Sequence, residues 1–264
     1  MTDDWLAICR AAAEDVRGVL RELPTRIERE PVVGDGVGGD ETTAVDAAAE
    51  RVILERLRAI DGATIVSEEV GELAGTGGLR IVVDPIDGSL NAKRGIPFFS
   101  LSVAVADGET MDDVVFGYVH DFGSGEEWTA ERGGGAWLNG EKLGELRPKE
   151  EIEILSFEAT LTSSVAEKAA QMVGVAYRLR IMGSLALSLC HLAAGRVDAV
   201  CSLKAARAVD IAAAQLLVRE CGIAIDLPEA PPFGAAPLDI EGRSRVVAAA
   251  TPEVCEGLFA ALSR

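Results

Sequence analysis

Apolar residues recur at helical spacing near the N-terminus. Leu6, Ala13, Val16 and Leu20 lie between Asp3 and Leu23, and Pro24 follows, so the spacing predicts an amphipathic helix that ends there. Residues 31–43, PVVGDGVGGDETT, are Gly-rich with little apolar content and read as a mobile loop. A second helix is predicted from Thr43 to about Ala59, with Val45, Ala49, Val52 and Leu57 turned inward. The runs ATIVSEE and LRIVVDP are short, apolar and closed by acidic residues, as buried strands are. Alternation from Phe98 to Val105, Val114 to Val119 and Glu127 to Thr129 predicts antiparallel strands with turns at DGE and GSG. Turn signals return at Gly133 to Gly135 and at Asn139-Gly140.

After about Glu150 the texture changes. Short strands (Glu153 to Phe157, Ala199 to Ser202, Val246 to Ala250) alternate with helices (Leu185 to Ala194, Asp210 to Cys221, Pro252 to Leu262). That order predicts an α/β half over 151–264, which follows an α+β half over 1–150 carrying the acidic motifs. No internal repeat is present, and Pro228 to Pro237 is too short to act as a separating linker.

Composition narrows the function. The 264 residues are 48% hydrophobic, enough for a sizeable core. No apolar run approaches the roughly 20 residues of a membrane helix, and MTDDWLAICR lacks a basic n-region. The expectation is a cytoplasmic protein with no membrane partner. Five scattered cysteines without CxxC spacing fit free thiols in a reducing compartment. The formal charge of -18, with no Lys/Arg stripe, argues against a nucleic-acid partner. An acidic protein that binds phosphate must create positive charge locally, and metal ions do so.

The chemistry concentrates at Ile81-Val82-Val83-Asp84-Pro85-Ile86-Asp87-Gly88-Ser89. An apolar strand delivers Asp84, Pro85 stops the strand, and Asp87 brings a second carboxylate close to the first. Gly88 and Ser89 open a helix whose free N–H groups suit a phosphate. Two carboxylates this close favour a cation between them, and an all-oxygen set favours magnesium or manganese over zinc. The plainer alternative is a strand followed by a helix capped by Asp87. Ser67-Glu68-Glu69 ends another apolar strand, and Val209-Asp210-Ile211 opens an Ala-rich helix. Each alone reads as a strand end or a cap. Together with Asp84 and Asp87 they place four carboxylates at the ends of apolar segments, where α/β sites form. His120 and His191 lie outside these motifs and read as structural, which argues against a histidine phosphatase.

These motifs resemble the signatures of the inositol monophosphatase family: Asp84-Pro85-Ile86-Asp87-Gly88-Ser89 followed by Asn91, Ser67-Glu68-Glu69, and Ala208-Val209-Asp210-Ile211-Ala212-Ala213, where the family usually has Trp before the Asp. The likeness runs in order from Gly39-Asp40-Glu41-Thr42 to Arg219-Glu220-Cys221-Gly222. It is strongest to the archaeal branch, which is similar to both inositol monophosphatase and fructose-1,6-bisphosphatase, through Gly95-Ile96-Pro97-Phe98-Phe99 and Arg207-Ala208-Val209-Asp210. The resemblance implies a five-layer αβαβα sandwich, two to three Mg2+ per site with Mn2+ as a substitute, a homodimer, and hydrolysis of a small sugar or polyol phosphate.

By the same resemblance, Glu68, Asp84 and the Ile86 carbonyl hold one metal, and Asp84, Asp87 and Asp210 a second. Asp40 with Glu68 holds a weaker third. Gly88 and Ser89 donate N–H groups to the phosphate, and Asp46 with the Ser89 hydroxyl activates water. Inositol-specific relatives carry a Glu seven residues before the second-signature Asp; here that position is Leu203. Ser184 and Ala186 are expected in the sugar pocket, and Arg180, Lys204 and Arg207 near a second phosphate. Fructose 1,6-bisphosphate therefore joins inositol 1-phosphate in the expected range. A nucleotide phosphatase of the same fold, or a non-catalytic regulator built on it, are the alternatives.

Overall fold

The computed structural model describes residues 2–37, 41–158, 161–230 and 232–264. The first helix, α1 (Thr2–Glu22), matches the N-terminal periodicity. A short α2 (Arg26–Arg29) follows. The Gly-rich segment is not simply a loop: β1 (Val32–Asp35) and β2 (Glu41–Thr43) pair antiparallel. Thr43 then caps α3 (Ala44–Leu57), with the Asp46 side chain accepting from the Thr43 backbone N–H.

The chain next builds β3 (Thr64–Ser67), β4 (Gly71–Leu73) and β5 (Arg80–Asp87), then α4 (Ser89–Arg94). It continues through β6 (Ser100–Ala106), β7 (Val114–Asp121), β8 (Glu127–Glu131), β9 (Gly135–Leu138) and β10 (Glu141–Lys142). These strands form one eight-stranded sheet in the order β10-β9-β8-β7-β6-β5-β3-β4, antiparallel except for the parallel β3–β5 pair.

Beyond it lie β11 (Ile152–Glu158), α5 (Thr162–Ala169), β12 (Ala176–Arg180), α6 (Leu185–Ala193), β13 (Ala199–Ser202), α7 (Ala208–Glu220), β14 (Ala224–Asp226), β15 (Val247–Ala249) and α8 (Pro252–Leu262). The second sheet runs β12-β11-β13-β15-β14, with β11 parallel to both of its neighbours. Sequence periodicity missed α5, β12 and β14. In β12, Tyr177, Arg178 and Arg180 are exposed, so no inward apolar pattern marks the strand.

Three apolar cores separate five layers. The helices α1 and α3 pack on one face of the large sheet, α6 and α7 lie between the two sheets, and α8 covers the outer face of the small one. The layering is the expected αβαβα sandwich. Both faces of the large sheet are therefore covered, and β6 is buried along its whole length rather than half exposed. Its alternation separates two cores instead of core from water. Leu101, Val103 and Val105 face α1 and α3, while Ala104 and Ala106 face the central helices. Small residues set the spacing on that side. At Gly117 of β7 an added Cβ would stand 2.6 Å from the Ala213 carbonyl of α7, so the helix approaches the sheet to a distance only glycine permits.

Candidate active site

The site begins with an irregularity in β5. Asp84 pairs with Ser102 and Asp87 with Ser100, so three steps on β5 oppose two on β6. Pro85 lacks an N–H and fits such a bulge. The strand does not stop at Pro85, as the sequence predicts, but bulges there and continues to Asp87. Asp84 and Asp87 are 2% and 8% exposed. The Ile86 N–H donates to Asp84 Oδ1 at 2.9 Å, and the Ala186 N–H donates to Asp87 Oδ2 at 2.8 Å, with the Ser184 hydroxyl donating to the same oxygen. Gly88 then turns the chain at φ 95 into α4, and an added Cβ would meet the Gly183 and Phe98 carbonyls at 3.1 Å.

Parallel pairing brings the end of β3 beside the end of β5. Glu68 and Glu69 follow β3. The buried Glu50 of α3 fixes that turn by accepting from the Ser67 hydroxyl at 2.6 Å and the Val70 N–H at 3.2 Å. From the other side α7 supplies Asp210 in its first turn, and the Arg207 N–H donates to Asp210 Oδ2 at 2.7 Å. A cavity of about 600 Å³ is lined by Asp46, Glu68, Asp84, Asp87, Ser89 and Asp210 together. Asp40 lies outside the described residues.

Burial sets the electrostatics. Glu68 and Asp87 are each pushed up to about 7, first by desolvation; the Asp210 charge adds to both, against the opposing pull of Arg207 on Glu68 and the Ser184 hydrogen bond on Asp87. Desolvation, with Glu68 and Asp87 as like-charged neighbours, also raises Asp84. Arg207 answers this density. Its guanidinium donates to Asp210 Oδ1 at 3.0 Å and to Glu68 Oε1. Burial opposes its charge, but Asp210 and Glu68 outweigh burial and hold it protonated.

With these bonds made, no group of three or more His, Cys, Asp and Glu among the described residues stands arranged to hold a metal ion. The donor chemistry still fits a hard divalent cation. Asp84 and Asp87 are buried, Glu68 and Asp210 half-buried, and the four line one cavity together with Ile86. Asp46 Oδ1 is buried with no hydrogen-bond partner, a polar atom placed to receive something the protein does not supply.

The remaining expected residues separate. Asp46 and Ser89 share the cavity, but Asp46 accepts from Thr43 and the Ser89 hydroxyl donates to the Ile86 carbonyl at 3.0 Å. Ser184 and Ala186, expected in the sugar pocket, are buried behind the cavity lining instead: Ser184 caps α6 and holds Asp87, and Ala186 contributes its N–H to the same oxygen. Lys204 and Arg207 border the cavity. Arg180 does not: it is exposed at the end of β12, donating to the Leu179 carbonyl at 2.9 Å. Three residues escaped the sequence reading. Glu50 sits one helical turn after Asp46, an inward spacing that carries the signal. Glu158 ends the apolar strand β11, as Glu68 follows β3, and receives the Gly183 N–H at 2.8 Å. Lys93 lies one turn after Ser89.

The family model for the inositol monophosphatase family matches residues 4–264. The chain belongs to that family. A fructose-1,6-bisphosphatase/inositol-1-monophosphatase of Thermococcus kodakarensis is 34% identical over 84% of this chain and 83% of its own. Another family relative, Nus factor SuhB of Escherichia coli K12, is 36% identical over 85% of this chain and 86% of its own. Among solved structures, an inositol monophosphatase-fructose 1,6 bisphosphatase superposes with TM-score 0.85 at 28% identity, covering 98% of this chain and 99% of that one. The inositol monophosphatase fold thus accounts for the whole length, both sheets included.

Proposed function

We propose that this protein is a divalent-cation-dependent phosphomonoesterase that uses magnesium to hydrolyse small sugar or polyol phosphates, inositol 1-phosphate and fructose 1,6-bisphosphate among them. The observation that carries the reading is the convergence of Glu68, Asp84, Asp87 and Asp210, from three separate segments of the chain, on one cavity beside Ser89. The printed names of the relatives, which pair the two substrates, support the range.

Glu68, Asp84 and the Ile86 carbonyl would hold one cation, Asp84, Asp87 and Asp210 a second, and Asp40 with Glu68 a third. A bound divalent cation supplies neutralisation of phosphoryl charge and lowers the pKa of water. The protein does the positioning. Gly88 and Ser89 N–H groups face the phosphoryl oxygens at the start of α4. Asp46 Oδ1, buried and without a partner, takes the proton of the attacking water, with the Ser89 hydroxyl fixing that water's orientation. As the water oxygen bonds to phosphorus the ester P–O bond breaks, and the departing alkoxide takes up a proton from solvent, so no covalent enzyme intermediate forms. Ser184 and the Ala186 N–H keep Asp87 aimed inward. The assembly we favour is a homodimer in the cytoplasm, read by sedimentation at micromolar concentration.

The match to Nus factor SuhB favours a second reading, a regulatory protein on the same fold. Phosphate release from both substrates separates the two. Release with Mg2+ that EDTA abolishes and Mg2+ restores is the expected result. A protein that releases no phosphate from either ester under any divalent cation is not this enzyme.

A further inference from the structure

Acidic side chains dominate the cavity, and its cations are Lys93, Lys204 and Arg207. Arg207 is committed to Glu68 and Asp210. Lys93 differs: it is half-buried on α4, lines the cavity, and makes no ion pair within 4 Å among the described residues, its charge acting on Glu30 only from farther away. Its neighbour Arg94 is exposed, pairs with Glu30 at 3.4 Å and does not border the cavity.

Position on the helix says what Lys93 faces. Ser89 and Lys93 are four residues apart, so they share one face of α4 with Cβ atoms about 5–6 Å apart. Helical side chains lean toward the N-terminus, which tilts the lysine stem back toward Ser89. The ammonium reaches several ångströms beyond its Cβ. Lys93 and Ser89 both line the cavity of about 600 Å³, which is larger than one phosphate needs. Gly88 and Asn91 hold this face still. Gly88 is wedged against the Gly183 and Phe98 carbonyls, and Asn91 Nδ2 donates to the Phe98 and Met182 carbonyls at 2.8 and 2.7 Å.

We propose that Lys93 is a specificity-determining residue that binds a second anionic group of the substrate, one remote from the ester being cleaved. The site then favours sugar phosphates carrying two anions over monophosphates of similar size. A half-buried ammonium not held in a close ion pair gains from such a group, and the carboxylates that line the cavity disfavour a second anion beside them. The inference rests on the phosphatase reading and adds the recognition of the distal group.

The test compares kcat/KM for fructose 1,6-bisphosphate and for inositol 1-phosphate, each with saturating Mg2+. The bisphosphate-to-monophosphate ratio is expected to fall about tenfold in Lys93→Met. Lys93→Arg is expected to recover most of it, and Arg94→Met to leave it as in the wild type. An unchanged ratio in Lys93→Met overturns the inference, whether neither substrate is affected or both lose equally through the shared phosphoryl group. A wild-type enzyme that cleaves only inositol 1-phosphate also overturns it, with the phosphatase reading intact. A wild type that cleaves neither ester sinks that reading itself.

Discussion

Arg207 is the residue on which the charge balance of the site turns. Its N–H and guanidinium both bind Asp210, and the guanidinium spans to Glu68, across 139 residues of chain. Removing one partner of a buried ion pair leaves the other charge uncompensated, at a cost of about 3–5 kcal/mol. Arg207→Met is therefore expected to lower the Tm of the metal-free protein by roughly 10 °C. On the proposed metal site, saturating Mg2+ should restore most of the loss, because cations held by Glu68 and Asp210 would replace the missing charge. Differential scanning fluorimetry with and without Mg2+ reads both effects. A metal-free Tm equal to wild type would mean that the guanidinium is not the counterion of these carboxylates. The motif reading placed Arg207 near a substrate phosphate; its contact with Glu68 depends on the fold and was not legible from spacing.

At the scale of elements, the turn from β5 into α4 does the positioning. The bulge at Pro85 sets Asp84 and Asp87 on one side, and Gly88 reverses the chain at a φ that side chains rarely adopt. Gly88→Ala puts a Cβ against two carbonyl oxygens at 3.1 Å. The strain is expected to cost about 1–3 kcal/mol in a urea titration. The shift in α4 should lower kcat at least about tenfold, since small displacements of positioned groups are costly. A variant with wild-type kcat would show that the N–H groups of this turn do not contact the phosphoryl. The acidic strand ends and the Gly-Ser helix start were legible because their chemistry is local. The bulge was not, since it exists only relative to β6.

At the scale of the whole molecule, acid stability depends on the seam between α1 and the large sheet. His120 of β7 is 5% exposed, its Nε2 stands 2.8 Å from Arg17 Nη2, and its Nδ1 has no partner. Tyr118 and Phe122 pack on its ring, and Glu14, Asp121 and Glu127 are the acidic groups that face it. Burial, reinforced by Arg17, pushes the imidazole down to about 4 despite those carboxylates. The folded pKa lies below the ordinary 6.5, so between these values the unfolded chain binds more protons. The stability His120 contributes is complete above about 6.5 and is lost as pH falls toward 4. His120→Gln is expected to flatten the dependence of Tm on pH in that window by close to one proton. Parallel wild-type and variant curves would contradict the assignment. Neither histidine lines the acidic cavity, in keeping with their distance from the motifs; His191 packs against Phe98 and Trp128.

The order of amphipathic and apolar segments determined the long helices, the central strands and the mixed α and β character, because hydrophobic burial leaves its period in the chain; the layered class came from the motifs' resemblance to the family. The acidic residues at segment ends determined the type of chemistry, because carboxylates beside apolar strands are costly without a purpose. Tertiary structure alone decided the rest. It paired β3 with β5, carried α7 across the sheet on Gly117, and thereby brought Asp210 to Glu68 and left Arg180 outside the cavity. Such meetings depend on distances between residues far apart in the chain, and no local pattern encodes a distance.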